Sequence, residues 1–260
     1  MPVSSPPKMR ILIGASSFAD AIAALQILGR LTVDVGATLG GLLIEESEAL
    51  ALCRIPNQRV ISPGGALAIA PSPTQLRTMI EADAKAFRRS LAQISDPVGA
   101  RWTFEQSMGD LVQTLLQASQ NWDIIIIGHR SIHPVGGKIA LLTSSTSEED
   151  ALISFSAKLE QRLSAERIIF SVGQIAGKVT NQLALPTLQR ALAVLAKTNA
   201  QAVLVDLANG PICNATELRQ LLEVARCPVF VFGANLSQPQ LDHSTHTPPA
   251  PDTESGRNDI

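Results

Sequence analysis

Tyrosine is absent from this sequence, and two tryptophans and seven phenylalanines bring aromatics to only 3% of its 260 residues. With 45% apolar residues the core must therefore be aliphatic, and the length suits one large α/β domain or two small ones. An excess of one charge is lacking too. The 21 basic and 23 acidic side chains give a net charge of −2, which offers a polyanion little and disfavours nucleic acid as a partner. Cys53, Cys213 and Cys227 are odd in number and show no Cys-x-x-Cys spacing, so neither a disulfide framework nor a zinc site is indicated, and buried thiols are expected. No run approaches the roughly 18 apolar residues of a membrane helix. Residues 1–8 lack the apolar core of a signal peptide, so they read as the flexible start of a cytoplasmic protein with no membrane partner.

What the sequence does contain is an alternation of short apolar runs and helical spacers. Residues 9–14 (Met-Arg-Ile-Leu-Ile-Gly) read as a strand, and Ser16 and Ser17 as caps of a helix carrying Ile22, Leu25, Ile27 and Leu28. A Gly-rich second strand over about 35–44 ends in Glu45-Glu46. Residues 56–73 hold Pro-Gly-Gly and Pro-Ser-Pro breakers, a lid or a decoration, before a helix over about 74–94. Strand 100–107, helix 109–119 and strand 122–127 follow, with Asp110 placed to complement the helix dipole. Ile124-Ile125-Ile126-Ile127 between Asp123 and Gly128 has the pattern of a buried parallel strand whose glycine exit turns beside a ligand crevice.

Past residue 137 the pattern restarts. Residues 138–143 read as a strand, Ser144-Ser145 repeat the earlier serine pair, and Asp150-Ala151-Leu152 echo Asp20-Ala21-Ile22. Strand 167–172, helix 186–198, strand 201–207, helix 215–225 and closing strand 227–232 complete a second unit without a long second helix or a clear third strand. Pro186 suits its helix's first turn. The division predicted is residues 9–135 and 138–233 as two units, the second a degenerate repeat. The polar, Pro-rich residues 237–260 read as a disordered tail. The two units are expected to pack as an intrachain pseudo-dimer, or the chain to form a homodimer, because units that each expose a sheet edge gain from covering one another.

Several of these stretches together resemble the universal stress protein (UspA-like) family. They are Ile11-Leu12-Ile13-Gly14-Ala15-Ser16-Ser17, Gly40-Gly41-Leu42-Leu43-Ile44-Glu45, Met108-Gly109-Asp110-Leu111, Asp123 through Arg130, and Arg226-Cys227-Pro228-Val229. The resemblance implies a parallel, five-stranded, doubly wound α/β sheet, of the kind also called adenine nucleotide alpha hydrolase-like, commonly dimeric and taking part in the stress response. One branch of that family binds ATP. It carries an Asp at the end of strand 1 and, after strand 4, a Gly-x2-Gly-x9-Gly-Ser/Thr phosphate loop. Here the Asp position falls on Ala15 or Ser16, and Gly128 is followed by His-Arg-Ser-Ile-His-Pro without the second glycine in place. In the second unit Asp206-Leu207-Ala208-Asn209-Gly210-Pro211 stands in the loop's position.

The candidate cofactor-binding crevice is formed by Gly14, Ala15, Ser16 and Ser17 after strand 1 and by Gly128, His129, Arg130 and Ser131 after strand 4. His129 and Arg130 would meet an anion there, although a solvated loop is the simpler reading. His129 and His133 are four apart, but Pro134 and Gly136-Gly137 argue for a loop, so no metal site is expected. The other histidines, His243 and His246, lie in the tail, so no Ser-His-Asp set assembles and no catalytic residue is assigned. Arg88-Arg89 read as an exposed charged face available to an unknown protein partner. The chain is thus expected to be a non-enzymatic regulatory or binding protein in stress or metabolic signalling, with no cofactor. The alternatives are an adenine-nucleotide-binding protein with weak ATP affinity and slow hydrolysis at most, or a scaffold with decayed ligand sites that dimerises through the edge strand 227–232.

Overall fold

The computed structural model describes residues 9–31, 37–55, 58–61, 67–130, 137–144, 151–173 and 181–235. The expectations for residues 1–8, for Ser131 and His133, and for residues 237–260 lie outside them. In chain order the first half holds β1 (Arg10–Ala15), α1 (Phe18–Leu31), β2 (Thr38–Glu46), α2 (Ser47–Leu52), β3 (Arg59–Ile61), β4 (Leu67–Ile69), α3 (Pro73–Ser95), β5 (Arg101–Gly109), α4 (Leu111–Ala118) and β6 (Ile124–Ile127). The second holds β7 (Lys138–Thr143), α5 (Ala151–Leu163), β8 (Arg167–Val172), β9 (Gln182–Leu185), α6 (Leu188–Leu195), β10 (Ala200–Asp206), α7 (Ala215–Ala225) and β11 (Val229–Phe232).

Nine of these strands form one sheet in the order β5-β2-β1-β6-β11-β10-β7-β8-β9. Every neighbouring pair is parallel except β6–β11, which is antiparallel with Val229 opposite Ile127 and Phe232 opposite Ile124. The fold is thus doubly wound α/β with two parallel halves that run in opposite directions. The unbroken sheet corrects the expectation that the two units pack against each other as an intrachain pseudo-dimer. The reason behind it survives in another form, since the two inner edges are covered by pairing directly with each other.

The halves are unequal in an unexpected way. The second supplies five strands, β9-β8-β7-β10-β11, and the first only four, β5-β2-β1-β6. Beside β6, where a fifth parallel strand of the first half would lie, stands β11 of the second half. It is enclosed between β6 and β10, which overturns its reading as a dimerising edge. β9, Gln-Leu-Ala-Leu, is the third strand that the sequence was read as lacking. The helix after it starts later than expected, with Thr187 as N-cap, so Pro186 precedes the cap and lies outside the first turn.

Two apolar layers sandwich the sheet. Ile11, Ile13, Ile124, Ile126, Leu141, Leu204 and Phe230 face α1, α3 and α5. Leu12, Leu42, Ile125, Ile127, Leu142, Val205 and Val231 face α4, α6 and α7. The four isoleucines of β6 are all at most 2% exposed, two to each layer, as a central strand covered on both faces requires. In the segment before α3, expected to be irregular, β3 and β4 pair as an antiparallel hairpin. α3 then opens on a reciprocal cap, Ser72 accepting from the Gln75 N–H and the Gln75 side chain accepting from the Ser72 N–H. Of the three thiols only Cys227 is buried; Cys213 is exposed and Cys53 half-buried, which corrects the expectation for those two.

Candidate functional site

The crevice residues of the first half lie at the carboxyl ends of β1 and β6, which are adjacent and in parallel register, Gly14 opposite Ile127. The Gly128 N–H donates to the Gly14 carbonyl at 2.7 Å, so the pairing runs one residue past β6. Gly14 and Gly128 are needed for their lack of a side chain. A Cβ on Gly14 would lie 2.1 Å from a Leu115 methyl, because α4 packs directly on the strand. A Cβ on Gly128 would lie 2.9 Å from the Asp20 carbonyl oxygen and 3.0 Å from the Ala15 Cβ. The first turn of α1 thus rests against the exit of β6, and no ligand atom fits between them there.

Both hydroxyls of the loop are already engaged. Ser17 caps α1 as expected: its Oγ accepts from the Asp20 N–H at 3.2 Å and donates to the Asp20 carboxylate. Ser16 is not a cap. Its Oγ donates to Glu46 Oε1 at 2.8 Å, across to the end of β2. Ala15 is fully buried, while the half-buried His129 turns its Nδ1 to the neighbouring Arg130 carbonyl at 3.1 Å. Arg130 is exposed. The structure thus brings seven of the eight predicted residues to one end of the sheet, with Ser131 outside the described residues. Glu46, which the sequence reading passed over, brings a carboxylate to the same place.

A phosphate crevice after a fourth strand relies on the N-terminus of the helix that follows it. In the first half β6 leads through residues 128–137 into β7, and no helix intervenes among the described residues. In the second half that helix exists as α7, and two N–H groups at its start already have side-chain partners. Asn214 Oδ1 accepts from the Glu217 N–H at 2.9 Å, and Glu217 Oε2 accepts from the Cys213 N–H at 2.8 Å. The carboxylate of Glu217 therefore sits where an anion would bind. The loop before it folds on Asp206, whose Oδ1 accepts from the N–H groups of Ala208 and Asn209 at 2.8 and 3.3 Å. The spacing Asn214-x-x-Glu217 is a capping-box signature legible in the sequence.

Because the halves are antiparallel, the two crevices open at opposite ends of the sheet. Beneath the first, at the amino ends of β1 and β6, Asp123 accepts from the Arg10 N–H and side chain, both at 2.8 Å. Partial burial pushes the Asp123 carboxyl up, but these hydrogen bonds and the guanidinium charge bring it below its usual range. Among the described residues no three His, Cys, Asp or Glu side chains come together as a metal site, and no helix is long and apolar enough to cross a membrane.

No family model and no curated protein matches the chain. Similar solved structures include a universal stress protein from Archaeoglobus fulgidus DSM 4304, 14% identical over 87% of this chain and 98% of that one, TM-score 0.46. A putative universal stress protein from Pseudomonas aeruginosa UCBPP-PA14 is 14% identical over 87% and 93%, TM-score 0.49. A functionally unknown protein from Pseudomonas aeruginosa PAO1 is 14% identical over 87% and 92%, TM-score 0.48. At this level of likeness the fold rests on the strand order itself.

Proposed function

We propose that this chain is a universal stress protein-like regulatory or binding protein that acts by association, with neither crevice serving as a nucleotide site. One observation carries the reading: at the start of α7, where a helix N-terminus could hold a phosphate, the protein's own Glu217 carboxylate already accepts the Cys213 N–H, and no helix follows β6 among the described residues. Ser16 and Ser17 add to it, since each hydroxyl already pairs with a carboxylate, and an incoming phosphate would displace Glu46 and lie against its charge. Breaking a charge-assisted hydrogen bond offsets much of what a new one contributes.

Titration calorimetry of the full chain with Mg-ATP tests this. The expected result is no binding, or a Kd weaker than about 100 μM, which corresponds to less than about 5.5 kcal/mol. Micromolar binding that is lost in the Ser16→Ala, Arg130→Ala double variant would overturn the reading in favour of a nucleotide-binding protein. Micromolar binding that survives it would overturn it in favour of a site elsewhere.

A further inference from the structure

The sheet ends on one side at β5, and that edge is long. All nine residues Arg101–Gly109 pair with β2, while no described strand pairs with the outer side. Exposed edges are commonly shortened, bulged or blocked by proline. β5 has no proline and no break in its register with β2, and Arg101 and Glu105 are its two charged residues. Arg101, Thr103 and Glu105 are exposed and share one face of the strand, whereas the half-buried Trp102 and Phe104 lie on the other, against the layer that contains α3. The opposite end of the sheet, β9, offers only four residues.

We propose that β5 is the surface through which two copies of this chain join, strand antiparallel to strand, about a two-fold axis at Thr103. The argument is one of register and charge. Outward N–H and C=O groups alternate along an edge, so two identical edges exchange hydrogen bonds only where odd residues oppose odd and even oppose even. Of the registers centred on a residue from 101 to 105, the one at Arg101 sets Arg101 against itself and the one at Glu105 sets Glu105 against itself. Centring on Trp102 or Phe104 leaves neither charge opposite the other. The register at Thr103 alone places Arg101 opposite the partner's Glu105, and symmetry makes that pair twice. The same register sets Trp102 opposite the partner's Phe104 on the other face. β11 takes no part, because it is enclosed within the sheet.

Sedimentation velocity on the full chain over about 1–100 μM tests this, a span that brackets the dissociation constants of weak and moderate dimers. The wild type is expected to dimerise with increasing concentration. Glu105→Arg and Arg101→Glu should each weaken the dimer by about tenfold or more, since each variant creates two like-charge pairs. The double variant carrying both exchanges restores complementarity and should return to within a few-fold of wild type. A wild type that stays monomeric throughout would overturn the proposal, as would a dimer indifferent to the single exchanges or one not recovered by the double exchange. Recovery in the double variant also shows that the exchanged side chains permit folding.

Discussion

The Arg219 guanidinium donates to Asp110 Oδ1 at 2.8 Å, joining a helix of the second half, α7, to the N-cap of a helix of the first, α4. The same carboxyl oxygen accepts from the Gln113 N–H at 2.8 Å, so one side chain both caps α4 and ties the halves together. Nearby, the buried Ser119 Oγ donates to the carbonyl of Ala234 at 3.1 Å, a second link on the same face.

Partial burial raises the Asp110 carboxyl, but the Arg219 hydrogen bond, the Gln113 N–H and the guanidinium charge bring it below its ordinary value of 3.8. A carboxyl depressed on folding contributes stability that is present above its unfolded pKa and is lost as pH falls through the folded one. Asp110→Ala should cost about 1–2 kcal/mol at pH 7, mostly the cap. Arg219→Ala should cost less than about 1 kcal/mol, because the pair is solvent-exposed. Thermal melts should show the gap between wild type and Asp110→Ala narrowing as the pH falls below the unfolded value. A gap that is constant with pH would rule out an ionised cap.

Sharing of β11 makes the halves interdependent. Without the second half, β6 presents the unpaired edge Ile124–Ile127 to water, together with the apolar faces that β11 and α5 cover. A fragment of residues 1–130 should therefore self-associate or fail to unfold cooperatively, while the full chain melts in a single transition. Circular dichroism melts with light scattering decide this; a monomeric fragment with its own sharp transition would show that the first half is self-sufficient.

Gly128→Val should destabilise the protein by about 1–3 kcal/mol, the usual range for overpacking, because the new side chain meets the backbone of α1. Gly99→Ala is the control, since nothing lies within 4 Å of its Cβ position and the cost there comes only from its φ of 62°. Chemical denaturation of the two variants should place Gly128→Val well below the control in stability.

Thiol reactivity should follow burial. Cys227 is fully buried, and desolvation pushes its thiol up to about 12, so it stays protonated and shielded at neutral pH. With a thiol-specific reagent Cys213 should label at once in the native protein, and Cys227 only on the timescale of unfolding. Rapid labelling of Cys227, located by peptide mass spectrometry, would mean that β11 opens locally.

The sequence by itself determined the elements whose signals are local: the four isoleucines of β6, the glycine exit at Gly128, the Asp110 cap, and the strand over Lys138–Thr143. Those follow from side-chain periodicity and capping chemistry, which neighbours in the chain decide. It also brought Gly14 through Ser17 and Gly128 through Arg130 to one end of one sheet, because parallel strands joined by helices leave no other arrangement. Only the tertiary structure decided that β11 completes both halves, since edge pairing depends on which unpaired edges meet rather than on any residue in Val229–Phe232. Only it decided, too, that Ser16 pairs with Glu46, 30 positions away, and that β9 is a strand: a weakly apolar tetrapeptide becomes one when a neighbouring edge offers it hydrogen bonds.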